Sequence, residues 1–270
     1  LAALAEADSL ATGPGVWSDW KSTLIGDLVR RCRGLLAGDE EPQPEPVAAE
    51  HLVLARDGAV HVDMAPGDSA LTYAVTMIAP DRRGLLSKAA GVLALNALSV
   101  HSATVNSADG SAINTFVVSP LFGAPPAAEL LRQQFILALD GELDVIASLQ
   151  ERDHEAARYG RAPAGAPKPA VPAATPAPPK ILWHDVDQPD RKLVEIRASD
   201  RTGLLAVLTA VFERAGVDVA WAKITTVGSS VIDVFAISVP GSAAAGSALE
   251  HDLYAALPAP PPLKPVADVG

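Results

Sequence analysis

Two six-residue phrases carry the residue types best suited to holding a ligand: Asp81-Arg82-Arg83-Gly84-Leu85-Leu86 and Asp200-Arg201-Thr202-Gly203-Leu204-Leu205. In each, an aspartate stands where a strand-like run ends, and a glycine opens a helical pattern. The first backbone amides of a helix have no partner within it. With the positive end of the helix dipole they make a ready place for a carboxylate. Asp81 or Asp200 supplies a fixed negative charge for an ammonium group, and Gly84 or Gly203 lets a ligand approach the backbone. A molecule that satisfies both charges is an amino acid. The alternative is that the aspartate caps the helix and the glycine only relieves crowding. Recurrence of the phrase in the same topological place favours the ligand.

The elements that position these phrases also recur. The phrases lie 200 − 81 = 119 residues apart, and the register continues without a gap: Val92 matches Val211, Val100 matches Val219, Ala103 matches Ala222, Ile113 matches Ile232 and Phe116 matches Phe235. Such repetition means two copies of one module. In the first copy, residues 52–55 and 60–64 read as short strands around the hairpin signal Arg56-Asp57-Gly58, and residues 71–78 form a third strand leading to Asp81. Leu85, Leu86, Ala89, Val92 and Leu93 fall on one helical face, which packs on a sheet. Residues 99–105 and 112–118 alternate around Asp109-Gly110 as a tight hairpin, and a second helix is expected over about 127–158. The second copy reads as strands 181–186 and 193–198, helix 204–214, strands 217–227 and 231–239, and a helix over 242–257.

The fold class is therefore α+β, with two ferredoxin-like βαββα modules, each led by an extra strand that pairs antiparallel with the next and takes the sheet edge. Two differences between the copies bear on the ligand role. Where the second has Gly216 before its strand the first has Ala97, so Asn96 or Ala97 must make the helix exit. His101 matches Ala220, so the halves are not equivalent.

Residues 1–37 read as two helices from the end of a helical domain, separated at Thr12-Gly13-Pro14-Gly15. The first residue is Leu1, and the sequence reads as continuing from a longer protein. Residues 38–50 are an acidic, proline-rich linker; 51–159 hold the first module, 160–180 an Ala/Pro spacer, 181–257 the second module, and 258–270 a tail expected to be disordered.

A net charge of −11, with no stripe of Lys and Arg to reverse it, argues against binding nucleic acid or an anionic membrane. No apolar run reaches the roughly 18 residues that span a bilayer. Cys32 is the only cysteine, so an internal disulfide is impossible, and a cytoplasmic setting fits best. His184-Asp185 and His251-Asp252 spell the dipeptide of metal-dependent HD phosphohydrolases, yet neither has the further histidine and aspartate on converging helices that such a metal needs. His51, His61, His101 and His154 show no metal-ligand spacing. Cys32, between Arg31 and Arg33, has no catalytic partner pattern and reads as structural. No catalytic or metal-binding residue is expected.

The repeats resemble ACT domains, small regulatory modules whose ferredoxin-like sheets pair and bind amino acids at the joint. More narrowly, the tandem arrangement, the phrases Leu98-Ser99-Val100-His101-Ser102-Ala103 and Ala222-Lys223-Ile224-Thr225-Thr226-Val227-Gly228, the strand Val231-Ile232-Asp233-Val234-Phe235 and the helices before Gly38 resemble the C-terminal part of bacterial PII uridylyltransferase/uridylyl-removing enzymes. The resemblance covers residues 1–257 apart from the linkers, with residues 1–36 similar to the end of the HD-type domain. It implies upstream domains that uridylylate and deuridylylate the PII signalling protein, with Mg2+ expected there, and a tandem region that senses L-glutamine. It carries ligand roles onto Asp81, Gly84, Leu85, Asp200, Gly203 and Leu204. This chain is then an effector-binding region, inactive alone. The other reading is an interaction platform that docks PII or neighbouring domains without a small ligand.

Overall fold

The structure, a computed structural model, describes residues 47–158 and 178–258 apart from Ala70, Asp187 and the pairs 228–229 and 239–240, together with Val29. The helices expected over 1–37, and nearly all of the linker, the spacer and the tail, lie outside these residues.

Fourteen described elements run in the order α1 (Ala49–Ala55), β1 (His61–Pro66), β2 (Tyr73–Pro80), α2 (Leu85–Leu95), β3 (Leu98–Ala108), β4 (Ser111–Pro120), α3 (Ala128–Asp140), α4 (Val145–Arg158), β5 (Lys180–Asp185), β6 (Arg191–Ser199), α5 (Leu204–Arg214), β7 (Val219–Val227), β8 (Ser230–Ser238) and α6 (Ala243–Ala256). The strands form one antiparallel sheet of order β1-β2-β4-β3-β7-β8-β6-β5. The leading strands β1 and β5 take the two edges, as the sequence implied.

The 119-residue register is also the register of the sheet. His61 pairs with Ile78 as Lys180 pairs with Arg197, and Ala103 pairs with Phe116 as Ala222 pairs with Phe235. Both inner hairpins carry an irregularity at the same place, between Val100 and Ser102 and between Val219 and Trp221. The halves join through β3 and β7. There Ala103 pairs with its own counterpart Ala222, while Ser102 meets Lys223 and Thr104 meets Trp221. Since 222 − 103 = 119, an approximate two-fold axis passes between the two alanines.

Alternation along the strands sends one set of side chains toward the helices. Val75, Met77, Phe116, Val194, Ile196, Phe235 and Ile237 join Leu93, Leu131, Phe135, Leu208 and Phe212 in a single core. The rings of Phe212 and Phe235 pack with centroids 5.0 Å apart at 57°, a tilted arrangement suited to their quadrupoles. Helices α2 and α5 contact each other across the joint, with α3 and α4 beside α2 and α6 beside α5. No described helix is long and apolar enough to cross a membrane.

Two sequence expectations need correction. Residues 52–55 are not a strand but the end of α1, which packs against β2 and β4. β1 takes the place beside β2, and the run packs on β2 and β4 as a helix. Ala55 is buried and its carbonyl accepts the Ser111 hydroxyl at 2.7 Å. The single helix expected over 127–158 is two helices. Gly141, at φ 82°, ends α3 in a left-handed exit, with Glu142 and Leu143 amides donating to the Leu137 carbonyl. At the end of α2, Ala97 takes φ 55° where Gly216 takes φ 67°, so the exit falls on Ala97 despite its side chain.

Candidate functional site

Each Asp-Arg-Xaa-Gly-Leu-Leu phrase turns from the outgoing strand, β2 or β6, into α2 or α5. Gly84 and Gly203 stand at the N-cap with φ 79° and 77°, the left-handed region that a side chain disfavours. Neither helix has a side-chain cap, so the aspartates do not serve that purpose. Leu85 and Leu204 bury their side chains in the core, so only the backbone of these turns can meet a ligand, and the Leu204 amide already donates to the Arg201 carbonyl at 3.2 Å.

The two-fold arrangement places each turn against the inner strand of the other repeat. One pocket is lined by Asp200, Gly203 and Leu204 together with Leu98, Ser99 and Val100 of β3. Its counterpart is lined by Asp81, Gly84 and Leu85 together with Val217, Asp218 and Val219. The predicted residues are thus brought together in two sets, Asp81 with Gly84 and Leu85, and Asp200 with Gly203 and Leu204. Both pockets belong to the joint between repeats, because neither is complete without the partner repeat's strand.

They differ in chemistry. The Gly203 pocket is a small cavity of about 70 Å³. Leu149, on α4, stands over Gly203 so closely that a Cβ there would meet its Cδ1 at 2.7 Å. Helix α4 has no counterpart among the described residues of the second repeat. It is held on α2 of its own repeat by Val145 against Gly91 and by the Arg152 guanidinium donating to the Leu95 carbonyl. Asp200 is half-buried, and that burial raises its pKa, an effect opposed by the Arg201 amide. Arg201 donates to the Ala256 carbonyl through Nη2 at 2.9 Å, while its Nε is buried without a partner. Burial lowers the Arg201 pKa, and Asp153 on α4 counters the shift.

The Gly84 pocket is a wider cleft of about 510 Å³, within the roughly 300–1,000 Å³ usual for ligand sites. Asp81 there is exposed. Helices α2 and α5 lie with the start of each at the end of the other, so Glu213, in the last turn of α5, reaches Gly84. Its Oε2 accepts the Ser87 hydroxyl at 3.0 Å, and its carboxylate fills the space beside the Gly84 Cα. This negative charge sits at the positive end of α2. In the other pocket the equivalent position is Ala94, since 213 − 94 = 119, and the start of α5 meets no such carboxylate.

One residue absent from the sequence-based set lines each pocket. Asn114 and Asp233 occupy the same place on β4 and β8, each 1% exposed and each with Oδ1 lacking a partner. Burial, with a smaller push from the Asp200 charge, raises the Asp233 pKa to about 8, against the Thr225 amide. The signal was present in Val231-Ile232-Asp233-Val234-Phe235, where strand alternation puts a carboxylate on the core side with Val231 and Phe235. Among the described residues no group of His, Cys, Asp and Glu is arranged to hold a metal. His184 lies in β5 and His251 in α6, on separate elements.

No family model matches the chain. A bifunctional uridylyltransferase/uridylyl-removing enzyme from Mycobacterium tuberculosis is 55% identical over 258 residues, covering 95% of this chain and 32% of that protein. One of the same description from Streptomyces coelicolor is 33% identical, covering 94% of this chain and 35% of that protein. The chain therefore spans about a third of the length of the curated relatives it matches. A solved structure of an unknown protein from Galdieria sulphuraria aligns over 69% of this chain and 91% of that one, with a TM-score of 0.22 at 14% identity, too distant to bear on the fold. With 55% identity across nearly its whole length, the chain belongs to the bifunctional uridylyltransferase/uridylyl-removing enzyme family, as a C-terminal portion.

Proposed function

We propose that this chain is the effector-sensing region of an enzyme that uridylylates and deuridylylates the PII signalling protein, that its repeats are ACT domains, and that the effector is L-glutamine. The observation that carries the reading is the pair of two-fold-related pockets, each joining a glycine-opened helix start to a buried, unpartnered polar side chain. In the Gly203 pocket the glutamine α-carboxylate takes the first amides of α5, and the α-ammonium takes Asp200. Asp81, Gly84 and Leu85 play the corresponding parts in the first pocket, where Glu213 competes for the helix start and weakens binding.

A pocket made by two repeats is sensitive to how they sit. A ligand that contacts both halves in one arrangement and not in another shifts the population between them, and about 1–3 kcal/mol of differential affinity gives useful coupling. The signal passes to upstream catalytic domains in the cytoplasm, which supply the Mg2+-dependent chemistry. A second reading, docking of PII or a neighbouring domain, is favoured by Trp221, which is 39% exposed on a strand at the joint.

The test is made in the full-length enzyme. Asp200→Ala is expected to abolish the effect of glutamine on the balance between uridylyl transfer and removal. An unchanged response would take the effector away from this site and favour the docking reading.

A further inference from the structure

Asp233 presents a problem that its surroundings leave open. A carboxyl group 1% exposed on the core side of β8 has one oxygen without a hydrogen-bond partner, and such a group ordinarily costs stability unless something occupies it. Asp233 lines the Gly203 cavity together with Asp200 and Arg201, whose Nε is likewise buried without a partner. The residues that line the cavity thus include one with an unmet acceptor and one with an unmet donor, beside a helix start that no side chain caps. Its volume of about 70 Å³ exceeds the roughly 10–15 Å³ needed by one water and suits the charged head of a small molecule.

The register isolates the variable. Asn114 stands at the same place in the other pocket, equally buried and likewise with an unpartnered Oδ1. One pocket therefore offers its ligand a second carboxyl group where the other offers an amide. Facing groups on the neighbouring elements are few: Asp200 and Arg201 on the turn, the Thr225 amide on β7, and Asp153 of α4 beyond Arg201. The lining contributed by α2 and β3 is Ala90, Ala94, Leu98, Ser99 and Val100, none of them charged.

We infer that Asp233 is a further ligand-binding residue, which with Asp200 forms a two-carboxyl receptor for the ammonium group of the amino acid at the Gly203 turn and makes this the tighter of the two pockets. The inference rests on the proposed amino-acid site and adds to it one of the residues that distinguish the repeats. When the ammonium enters, Asp233 gives up its proton to solvent and meets the ligand as a carboxylate. The carboxyl O–H bond is the one that breaks, its proton passing to water, and one charge-assisted hydrogen bond is gained.

Calorimetric titration of L-glutamine into the whole chain near neutral pH, in two buffers of different ionisation enthalpy, reads both affinity and proton release. The unsubstituted chain is expected to release about one proton per ligand at the tight site. Asp233→Asn, which copies the residue found at position 114, is expected to release none and to lose about tenfold or more in affinity, the size of a lost hydrogen bond to a charged group. Far-ultraviolet circular dichroism checks that the variant is folded, and Asp233→Ser repeats the comparison with a smaller side chain. Wild-type affinity and proton release in a folded Asp233→Asn chain would overturn the role of Asp233 while leaving the amino-acid site intact. If the unsubstituted chain binds no amino acid, both readings fall.

Discussion

Burial of an acid without a counter-charge makes Asp233 the residue with the largest consequence for pH. In the folded chain it holds its proton up to about pH 8, whereas an unfolded aspartate releases its own near 3.8. The folded state thus binds more protons across that window, and stability falls as pH rises through it, by at most about 1.4 kcal/mol per pH unit. Asp200, also raised, acts with the same sign. His101, lowered by burial and by Lys223, acts with the opposite sign, its contribution being lost as pH falls. Comparing the wild-type chain with Asp233→Asn cancels these shared terms. In urea unfolding, the variant should gain on the wild type steadily from about pH 4 to about pH 8; parallel curves would show that Asp233 is ionised in the fold. Glu213 gives a second expectation at this scale. Removing its carboxylate from beside Gly84 by Glu213→Ala frees the start of α2, and the weaker pocket should gain amino-acid affinity by roughly the few-fold to tenfold that a helix-end charge is worth. No change in the weaker site would mean that Glu213 is not a competitor.

Among the elements, what the sequence made legible was whatever repetition tested twice. The turn residues, the helix over Leu204–Arg214 and both leading edge strands appear where periodicity and the 119-residue shift place them. The run Leu52-Val53-Leu54 misled because a short apolar stretch fits a buried strand or one face of a helix equally well, and only its packing decides. The break at Gly141 was visible as a glycine, but the apolar pattern on both sides masked it. Asp233 does not stand out in the sequence, because a strand pattern is defined by its apolar positions. Ala97 was legible as a conflict, an alanine where the repeat has glycine, and the structure resolves it with a left-handed alanine. Because that conformation costs a non-glycine residue about 1–2 kcal/mol, Gly216→Ala should lower stability by about 1 kcal/mol. Ala97→Gly should leave stability unchanged or raise it by a fraction of that, since added chain entropy offsets the relief. Thermal or urea unfolding of the two variants checks the asymmetry, and equal losses from both would contradict it.

For the whole molecule, the decisive contact is the β3–β7 joint, which no local pattern announces. An inner strand of each repeat leaves an unpaired edge, and the other repeat of the same chain covers it, turning two four-stranded sheets into one of eight. The joint is centred on Ala103 and Ala222, buried at 2% and 3%, so a charge placed there has no water to meet. Ala222→Asp is expected to separate the repeats: one cooperative unfolding transition in the wild type should become two, and amino-acid binding should vanish because each pocket needs both halves. A variant that still unfolds in one step and still binds would show that the joint assembles neither pocket.

The claim on which the functional account depends is that the turn pockets hold a free amino acid and read its side-chain amide. L-glutamine titrated into the purified chain by calorimetry, with L-glutamate as the control differing only in a carboxylate for that amide, tests it most directly. The account predicts saturable binding of glutamine, with one tight site and one weaker, and much weaker binding of glutamate. Absence of binding by either at millimolar concentration, or equal binding of both, would contradict it.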